Sequence, residues 1–177
     1  MVSTYVHDNV DSVDSREPHN SGTPVSLERL AALGVLYRHL ETEAEVQALA
    51  RERHYKNQDI MDVQREMFHG DTALYESTLV KFYNEHLHDD EEIRYCLEGS
   101  GYFDIRDAHT GDWLRCQVHP GDLLIVPAGV YHRFAPTTDN RIKALRLFKD
   151  EPKWEAVNRG PEADASAVRA AYLKSIE

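Results

Sequence analysis

The sequence predicts a mainly β protein, α+β by a stricter definition, with an antiparallel barrel or sandwich flanked by helices. From residue 82 the hydrophobic pattern changes from a helical period to an alternating one, which is typical of half-buried strands. Turn-forming sequences separate the alternating runs, and several short strands with regular turns favour a barrel or sandwich. The expected strands cover 82–88, 92–98, 102–107, 113–118, 122–127, 131–135 and 141–148.

The residues before the strands are expected to be irregular at first and then helical. Residues 1–25 are polar, with several Asp, Pro and Gly residues, which favours an irregular or short extended start. Residues 26–80 are expected to form a helical flank, in which Gly34 ends the first helix. Glu45 stands three residues after Thr42, which is the spacing of a capping box. The expected helix starts are Ser26, Thr42 and Asp71.

The strands are expected to be followed by a terminal helix. Residues 149–177 form the C-terminal segment, and their Ala-rich stretch from 165 to 176 favours a helix. At 177 residues the chain is long enough for one domain with a sizeable core and too short for two. We therefore expect a single domain, 1–177, whose barrel occupies 82–148.

The charge of the chain argues against several classes of partner. Acidic residues outnumber basic ones by 31 to 20, giving a formal net charge of −11. Because the Lys and Arg residues are scattered singly, we expect no binding to nucleic acid or to an anionic membrane surface. Nothing approaches the ~20 apolar residues of a membrane span, and no secretory pattern is visible. We expect a cytoplasmic monomer, with the nucleus open as a second location.

Three histidines and a glutamate have the pattern of a metal site. His86 and His88 stand two residues apart, so in a strand both side chains point to the same face. Glu92 begins the next extended run, and His132 follows a tight turn. Two neutral imidazoles and a carboxylate are preferred donors for ions such as Fe(II), Ni(II) or Zn(II). A His-x-His pair alone is weak evidence in a chain with ten histidines, so the wider spacing matters.

The wider spacing is His86-x-His88-x3-Glu92-x6-Gly99, followed by Gly121-x5-Pro127-x-Gly129-x2-His132. It resembles the two motifs of the cupin superfamily. Glycines in these motifs make the turns that return the next strand with its ligand facing into the barrel. Two positions depart from the pattern, Val80 where Gly is usual and Pro136 where Asn is usual, but neither is a ligand position. The resemblance implies a cupin double-stranded β-barrel, or jelly roll, with N-terminal helices and a C-terminal helix.

Strand register places two arginines beside the predicted metal. If Glu92 faces the metal, then Arg94 and Cys96 face inward, while Ile93, Tyr95 and Leu97 pack outside. An inward Arg is costly to bury without an anionic partner, which is either the glutamate or a charged substrate. Arg146 shares a strand face with Ala144 and Phe148, and a second inward Arg indicates an anionic ligand. The competing interpretation is that both arginines lie on an exposed surface.

The remaining residues of these types are given structural or solvent-exposed roles. Asp89, Asp90 and Glu91 are expected to form a solvated turn. Cys96 and Cys116 lack a Cys-x-x-Cys pattern, so we expect buried free thiols rather than a disulfide or a thiolate zinc site. Seven further histidines are expected to be structural or exposed: His7, His19, His39, His54, His69, His109 and His119.

Longer strings carry a more specific resemblance. They are PVSL at 24–27, LGVLY at 33–37, FYNEHLH at 82–88, DEEIRY at 90–95, GSGYFDIRD at 99–107, PAGVYHRF at 127–134, RLF at 146–148 and EPKW at 151–154. Together they resemble one cupin family, the acireductone dioxygenases of methionine salvage, over roughly residues 16 to 160. One departure is Asp89, where a hydrophobic residue is common in eukaryotic members, and it affects no catalytic position.

The resemblance implies a reaction. Its substrate is the acireductone 1,2-dihydroxy-3-keto-5-methylthiopentene, which the family cleaves with O2. The Fe(II) form yields 4-methylthio-2-oxobutanoate and formate, whereas the Ni(II) form yields 3-methylthiopropanoate, carbon monoxide and formate. One Fe(II) or Ni(II) ion per chain would be held by His86, His88, Glu92 and His132. By the same matching, Arg94 and Arg146 would contact the substrate oxygens, and Phe82, Phe134 and Trp154 would surround the methylthio tail.

Two alternatives remain open at this stage. Another metal-dependent cupin oxygenase or isomerase would keep the four ligands without acting on acireductone. A non-enzymatic cupin that binds a metabolite would lack a ligand or have a pocket closed to O2. A hydrolytic zinc enzyme with a His-x-His pair in an (α/β)8 barrel is excluded by length, since that fold needs ~250 residues.

Overall fold

The computed structural model describes residues 2–151 and 155–177, apart from the side chain of Met67. The helices are α1 (Leu27–Ala32), α2 (Glu43–Glu52), α3 (Thr72–Tyr83), α4 (Pro161–Asp164) and α5 (Ala167–Ser175), with a 3₁₀ turn at Arg65–Phe68. The strands are β1 (Ser3–His7), β2 (Asn20–Pro24), β3 (Leu36–His39), β4 (Asn57–Gln64), β5 (His86–Leu87), β6 (Glu92–Gly99), β7 (Gly101–Arg106), β8 (Trp113–Val118), β9 (Asp122–Val126), β10 (His132–Pro136), β11 (Arg141–Phe148) and β12 (Val157–Asn158).

Two antiparallel sheets pack face to face and enclose the main core. One sheet has the strand order β12-β5-β10-β7-β8-β1-β2, and the other has the order β3-β9-β6-β11-β4. The core between them takes Phe103 and Leu114 from the first sheet and Leu124 and Ile142 from the second. This arrangement is the jelly roll that the sequence predicts.

A second core lies outside the five-stranded sheet. Ile93 and Tyr95 of β6 pack there with Leu123 of β9, and Val46 of α2 covers them. Cys96, the residue after Tyr95, belongs instead to the main core. The alternation along β6 therefore follows the predicted register, with Glu92, Arg94 and Cys96 on the inner face.

The expected helix starts are present, each with a side-chain cap. Ser26 Oγ accepts a hydrogen bond from the Arg29 amide at 3.2 Å, and Asp71 Oδ1 accepts one from the Leu74 amide at 2.9 Å. Thr42 and Glu45 form the capping box reciprocally. Such caps satisfy amide groups that the first turn of a helix leaves without partners. Both cysteines are buried and free, as expected.

Two sequence-based expectations need correction. The predicted strand 82–88 is wrong at its start, because α3 continues to Tyr83 and the strand is confined to His86–Leu87. The predicted helical flank 26–80 also contains β3 and β4, which pair with β9 and β11. The sequence of β4 shows no clear alternation, since Asp59, Met61 and Val63 on one face mix charged and apolar side chains.

The two ends of the chain also contain more regular structure than predicted. The expected irregular start, 1–25, includes β1 and β2, which extend the seven-stranded sheet. The predicted terminal helix 165–176 corresponds to α5, with the short helix α4 before it. Among the described residues, no helix is long and apolar enough to cross a bilayer.

Candidate metal centre

Three short elements bring the predicted ligands to one end of the barrel. His86 is the first residue of β5 and His88 follows that strand, while Glu92 and His132 are the first residues of β6 and β10. His86 and His132 stand directly opposite each other in the β5–β10 pair. Cross-strand neighbours lie about 5 Å apart, which places both imidazoles over the same cavity.

A tight turn before β10 fixes the approach of His132. Gly129 in this turn has φ 78°, a left-handed conformation that favours glycine. Its amide donates to the backbone oxygen of His88 at 3.0 Å, which ties the turn to the first ligand segment. A Cβ at this position would lie 2.6 Å from the Val168 carbonyl oxygen of α5, so glycine is also required by packing.

The four side chains converge closely enough to bind one ion. One ring nitrogen from each of His86, His88 and His132 lies within 4.8 Å of the other two. Glu92 completes the set, with Oε1 3.0 Å from His88 Nε2 and Oε2 3.7 Å from His132 Nε2.

Backbone carbonyls orient all three imidazoles. The Nδ1–H of His86 donates to the oxygen of Asn84 at 2.6 Å, that of His88 to Glu155 at 2.9 Å and that of His132 to Val130 at 3.1 Å. A carbonyl only accepts, so Nδ1 carries the proton and Nε2 of each neutral ring keeps its lone pair. Three such nitrogens with a carboxylate fit a divalent transition metal, and the oriented tautomers match the outer hydrogen bonds of metal-binding histidines.

Electrostatics keep these groups in their metal-binding forms. Burial raises the pKa of Glu92, but Arg94, His88 and His132 outweigh it, so the pKa lies well below its usual range. Burial lowers the pKa of His132 to about 3, against an opposing contribution from Glu92, and also lowers the pKa of His86. An ionised carboxylate and neutral imidazoles are the species that coordinate metals.

A cavity of about 270 Å³ opens onto the centre. Its apolar wall contains the side chains of Met61, Phe82, Phe103 and Phe134, and its polar wall contains Arg94 and Arg146, with Lys81 also lining it. The Phe82 and Phe134 rings meet edge to face, with centroids 6.1 Å apart. An apolar pocket with a few convergent polar groups is the usual form of a small-molecule site.

Both predicted arginines line this cavity rather than an exposed surface. Arg94 Nη2 lies 3.0 Å from Glu92 Oε2, and Arg146 is paired instead with Asp59 of β4. Both guanidinium groups lie within 6 Å of the Phe148 ring centroid, at 5.9 and 5.7 Å. The cavity thus has two cations on one wall, which suits an anionic ligand.

The other sequence-based site residues have mixed outcomes. Phe82 and Phe134 line the cavity, whereas Trp154 lies outside the described residues. Glu91, expected in a solvated turn, is instead held by Arg53 Nη2 at 2.8 Å and by the Tyr55 hydroxyl. Sequence reasoning missed Met61, which lines the cavity, and Asp59, which pairs with Arg146, because no local pattern marks either residue.

A second histidine cluster lies away from this cavity. His7 and His19 are buried and stack with centroids 4.4 Å apart and planes 12° apart, beside Asp8. Ring lone pairs lie in the ring plane, so those of two nearly parallel rings do not converge on one ion. His7 Nδ1 also accepts a hydrogen bond from the Asn9 amide at 2.9 Å. Both histidines are buried and hydrogen-bonded within the fold, and the structural role expected from the sequence stays a prediction.

Comparison with known proteins gives one consistent family. The model described as the ARD/ARD' family matches residues 3–156. A relative from Saccharomyces cerevisiae named acireductone dioxygenase is 56% identical over 177 residues, covering 99% of this chain and 98% of the relative. A relative of the same name from Candida albicans (strain WO-1) is 49% identical over 178 residues, covering 99% of each chain.

A solved structure supports the fold. The acireductone dioxygenase from Bacillus anthracis, with a cadmium ion in its active centre, superposes with a TM-score of 0.68. The two sequences are 22% identical, and the match covers 89% of this chain and 98% of the other. The cupin jelly roll predicted from the sequence is therefore confirmed. By family model and by full-length relatives, the chain belongs to the ARD/ARD' family, the metal-dependent acireductone dioxygenases.

Proposed function

We propose that this protein cleaves the acireductone 1,2-dihydroxy-3-keto-5-methylthiopentene with O2, as a step of methionine salvage. The observation that carries this proposal is one cavity holding three features at once. These are the four-donor centre, two arginines on the polar wall and a wall of aromatic and thioether side chains. Each feature matches one part of the substrate: its chelating oxygens, its negative charge and its methylthio tail.

The cofactor in this proposal is one Fe(II) or Ni(II) ion per chain. His86, His88, Glu92 and His132 would hold it, since their neutral imidazoles and carboxylate suit either ion. When bound, the ion supplies Lewis acidity that favours the enediolate form of the substrate and holds the substrate in place.

Arg94 and Arg146 would bind the enediolate oxygens. Both are oriented by carboxylates, Arg94 by Glu92 and Arg146 by Asp59. Donors that are already oriented stabilise negative charge in a partly dry cavity without reorganising during the reaction. Charge-assisted hydrogen bonds from guanidinium groups are also stronger than neutral ones. The two arginines would therefore keep the substrate ionised and fix its orientation.

The aromatic wall would take the methylthio tail. Phe82 and Phe134 form an edge-to-face pair, and Phe103 lies 5.0 Å from Phe134 between centroids. Thioether sulfur contacts aromatic rings favourably, and Met61 adds a polarisable surface beside them. Trp154 is proposed from the family resemblance to complete this wall.

The metal would decide the products. With Fe(II) we expect 4-methylthio-2-oxobutanoate and formate, and with Ni(II) we expect 3-methylthiopropanoate, carbon monoxide and formate. We further propose that the chain works as a single-domain monomer in the cytoplasm, without binding nucleic acid. Its net charge of −11 is consistent with the last of these.

Reconstitution with each metal tests the proposal. Metal-free protein is loaded with Fe(II) or Ni(II), and oxygen uptake, carbon monoxide and formate are measured with acireductone. We expect oxygen uptake with both metals and carbon monoxide with Ni(II) alone. If neither form consumes oxygen faster than metal-free protein, a different cupin activity or a binding role replaces this proposal.

A further inference from the structure

The Asp59 carboxylate accepts two hydrogen bonds from one edge of the Arg146 guanidinium. Arg146 Nε donates to Asp59 Oδ1 at 2.7 Å, and Nη2 donates to Oδ2 at 2.6 Å. Two parallel bonds between a guanidinium and a carboxylate fix the guanidinium plane as well as its position. Nη1 of the same group lies 3.9 Å from the sulfur of Met61, a residue of the cavity wall.

The pair belongs to a row of charges across three strands. In the sheet register, Asp59 of β4 stands opposite Arg146 of β11, and Arg146 stands opposite Arg94 of β6. Two like charges directly opposite each other destabilise a sheet. Here a carboxylate lies at each end of the row, because Arg94 also contacts Glu92.

The carboxylates of Glu92 and Asp59 differ in the groups that they contact. Glu92 contacts His88 and His132 as well as Arg94, so its charge is shared with the candidate metal ligands. The candidate centre is formed by His86, His88, His132 and Glu92, whereas both oxygens of Asp59 accept hydrogen bonds from the Arg146 guanidinium. Asp59 is therefore placed to orient one arginine without taking part in metal binding.

We propose that Asp59 is a positioning residue for the reaction proposed above, acting through Arg146. The two hydrogen bonds from Arg146 to Asp59 direct Nη1 of Arg146 towards the cavity. The negative charge of Asp59 also offsets the repulsion between Arg146 and Arg94. The inference rests on the proposed function, since it assigns Arg146 to the substrate. The Asp59 side chain is 30% exposed and that of Arg146 is 19% exposed, so solvent screens part of this ion pair.

A double-mutant cycle tests this role. Asp59→Asn is made in the wild-type protein and in Arg146→Met, and all four Fe(II)-loaded proteins are compared. Anaerobic titration gives the acireductone Kd without turnover, and oxygen uptake gives kcat and KM. We expect Asp59→Asn to raise Kd and KM about tenfold in the wild type, with a smaller change in kcat. In Arg146→Met the same substitution should change Kd less than about twofold.

Controls separate positioning from general damage. Iron content and the thermal midpoint should stay close to wild type in Asp59→Asn. Glu98→Gln is the matched control, because Glu98 pairs with Arg141 and Lys143, which lie on β11 like Arg146. This substitution should leave Kd and kcat unchanged. If Asp59→Asn is unstable, Asp59→Thr carries the same cycle, since a β-branched residue suits a strand.

The outcomes distinguish the two proposals. An equal rise in Kd in both backgrounds, or no rise in either, overturns the role of Asp59 while acireductone turnover by the wild type still stands. If the iron-loaded wild type neither binds nor consumes acireductone, the proposed function fails and the role of Asp59 falls with it.

Discussion

Arg94 Nη2 lies 3.0 Å from Oε2 of Glu92, so an arginine of the cavity wall is paired with the carboxylate of a candidate metal ligand. The pairing lets Arg94 remain charged although its side chain is only 11% exposed. Burial lowers the pKa of Arg94, and Glu92 opposes that shift. A divalent ion bound to Glu92 would take part of this negative charge, which leaves Arg94 attracted to a substrate anion.

Arg94→Ala should therefore separate metal binding from turnover. We expect the variant to retain its metal, because all four donors remain and the ion itself compensates Glu92. Turnover of acireductone should fall on the order of 100-fold, the usual loss when one preorganised donor to a developing anion is removed. Metal analysis and oxygen uptake on the same sample measure both. Unaltered turnover would remove Arg94 from the substrate site.

Removal of a candidate ligand should abolish metal retention. His86→Ala and Glu92→Ala each leave three donors, and the glutamate variant also loses the negative charge that attracts the ion. We expect both purified variants to contain little Fe(II) or Ni(II) by elemental analysis after dialysis. His119→Ala is the matched control, because His119 lies outside the centre and its metal content should be unchanged. Full metal content in His86→Ala would mean that the site is misplaced.

The sequence predicts the residues of the candidate metal centre better than it predicts β4, the strand that pairs with β11 beside the cavity. His86, His88 and Glu92 lie close together in the chain, so their His-x-His alternation and the short turn to Glu92 can be recognised in the sequence. Met61 of β4 instead lines the cavity, and Asp59 of β4 contacts Arg146 of the cavity wall, because β4 pairs with β11, a strand far away in the chain. Such long-range pairing leaves no local pattern, since the inner face of β4 mixes charged and apolar side chains.

The boundary of α3 illustrates a second limit. Phe82 lines the cavity from α3, whereas the sequence analysis expected it in a strand. Local competition decides the conformation: the Asn84 amide donates to the Val80 carbonyl at 3.1 Å, which extends the helix to Tyr83. Element boundaries set by a single such bond are the least predictable part of a chain.

Phe82→Ala should weaken recognition of the methylthio tail. The substitution removes an aromatic ring from the apolar wall, and such losses cost about 1–3 kcal/mol in substrate discrimination. We expect KM for acireductone to rise about tenfold or more, with little change for an analogue that lacks the methylthio group. Val80→Ala is the control, since Val80 lies on the same helix and is 63% exposed. Equal effects on both substrates would exclude Phe82 from tail binding.

The pH dependence of folding should depend on His7, which is 4% exposed. Its Nδ1 accepts from the Asn9 amide at 2.9 Å, so the neutral ring donates through Nε2 to the Tyr83 hydroxyl at 3.1 Å. Burial lowers the pKa of His7 to about 4, with Asp104 opposing. An unfolded histidine titrates near about 6.5, so between these values the unfolded chain binds more protons than the folded one.

The free energy of unfolding should therefore fall as the pH falls from about 6.5 to 4, and His7 should contribute roughly 3 kcal/mol to that loss. In His7→Gln, which cannot titrate, we expect a shallower dependence on pH than in the wild type. Urea unfolding of metal-free protein at several pH values across this range measures the slope, because chelation removes the contribution of metal release. His109→Gln changes an exposed histidine and should keep the wild-type slope. Identical slopes for His7→Gln and the wild type would show that the pKa of His7 is the same in the folded and the unfolded protein.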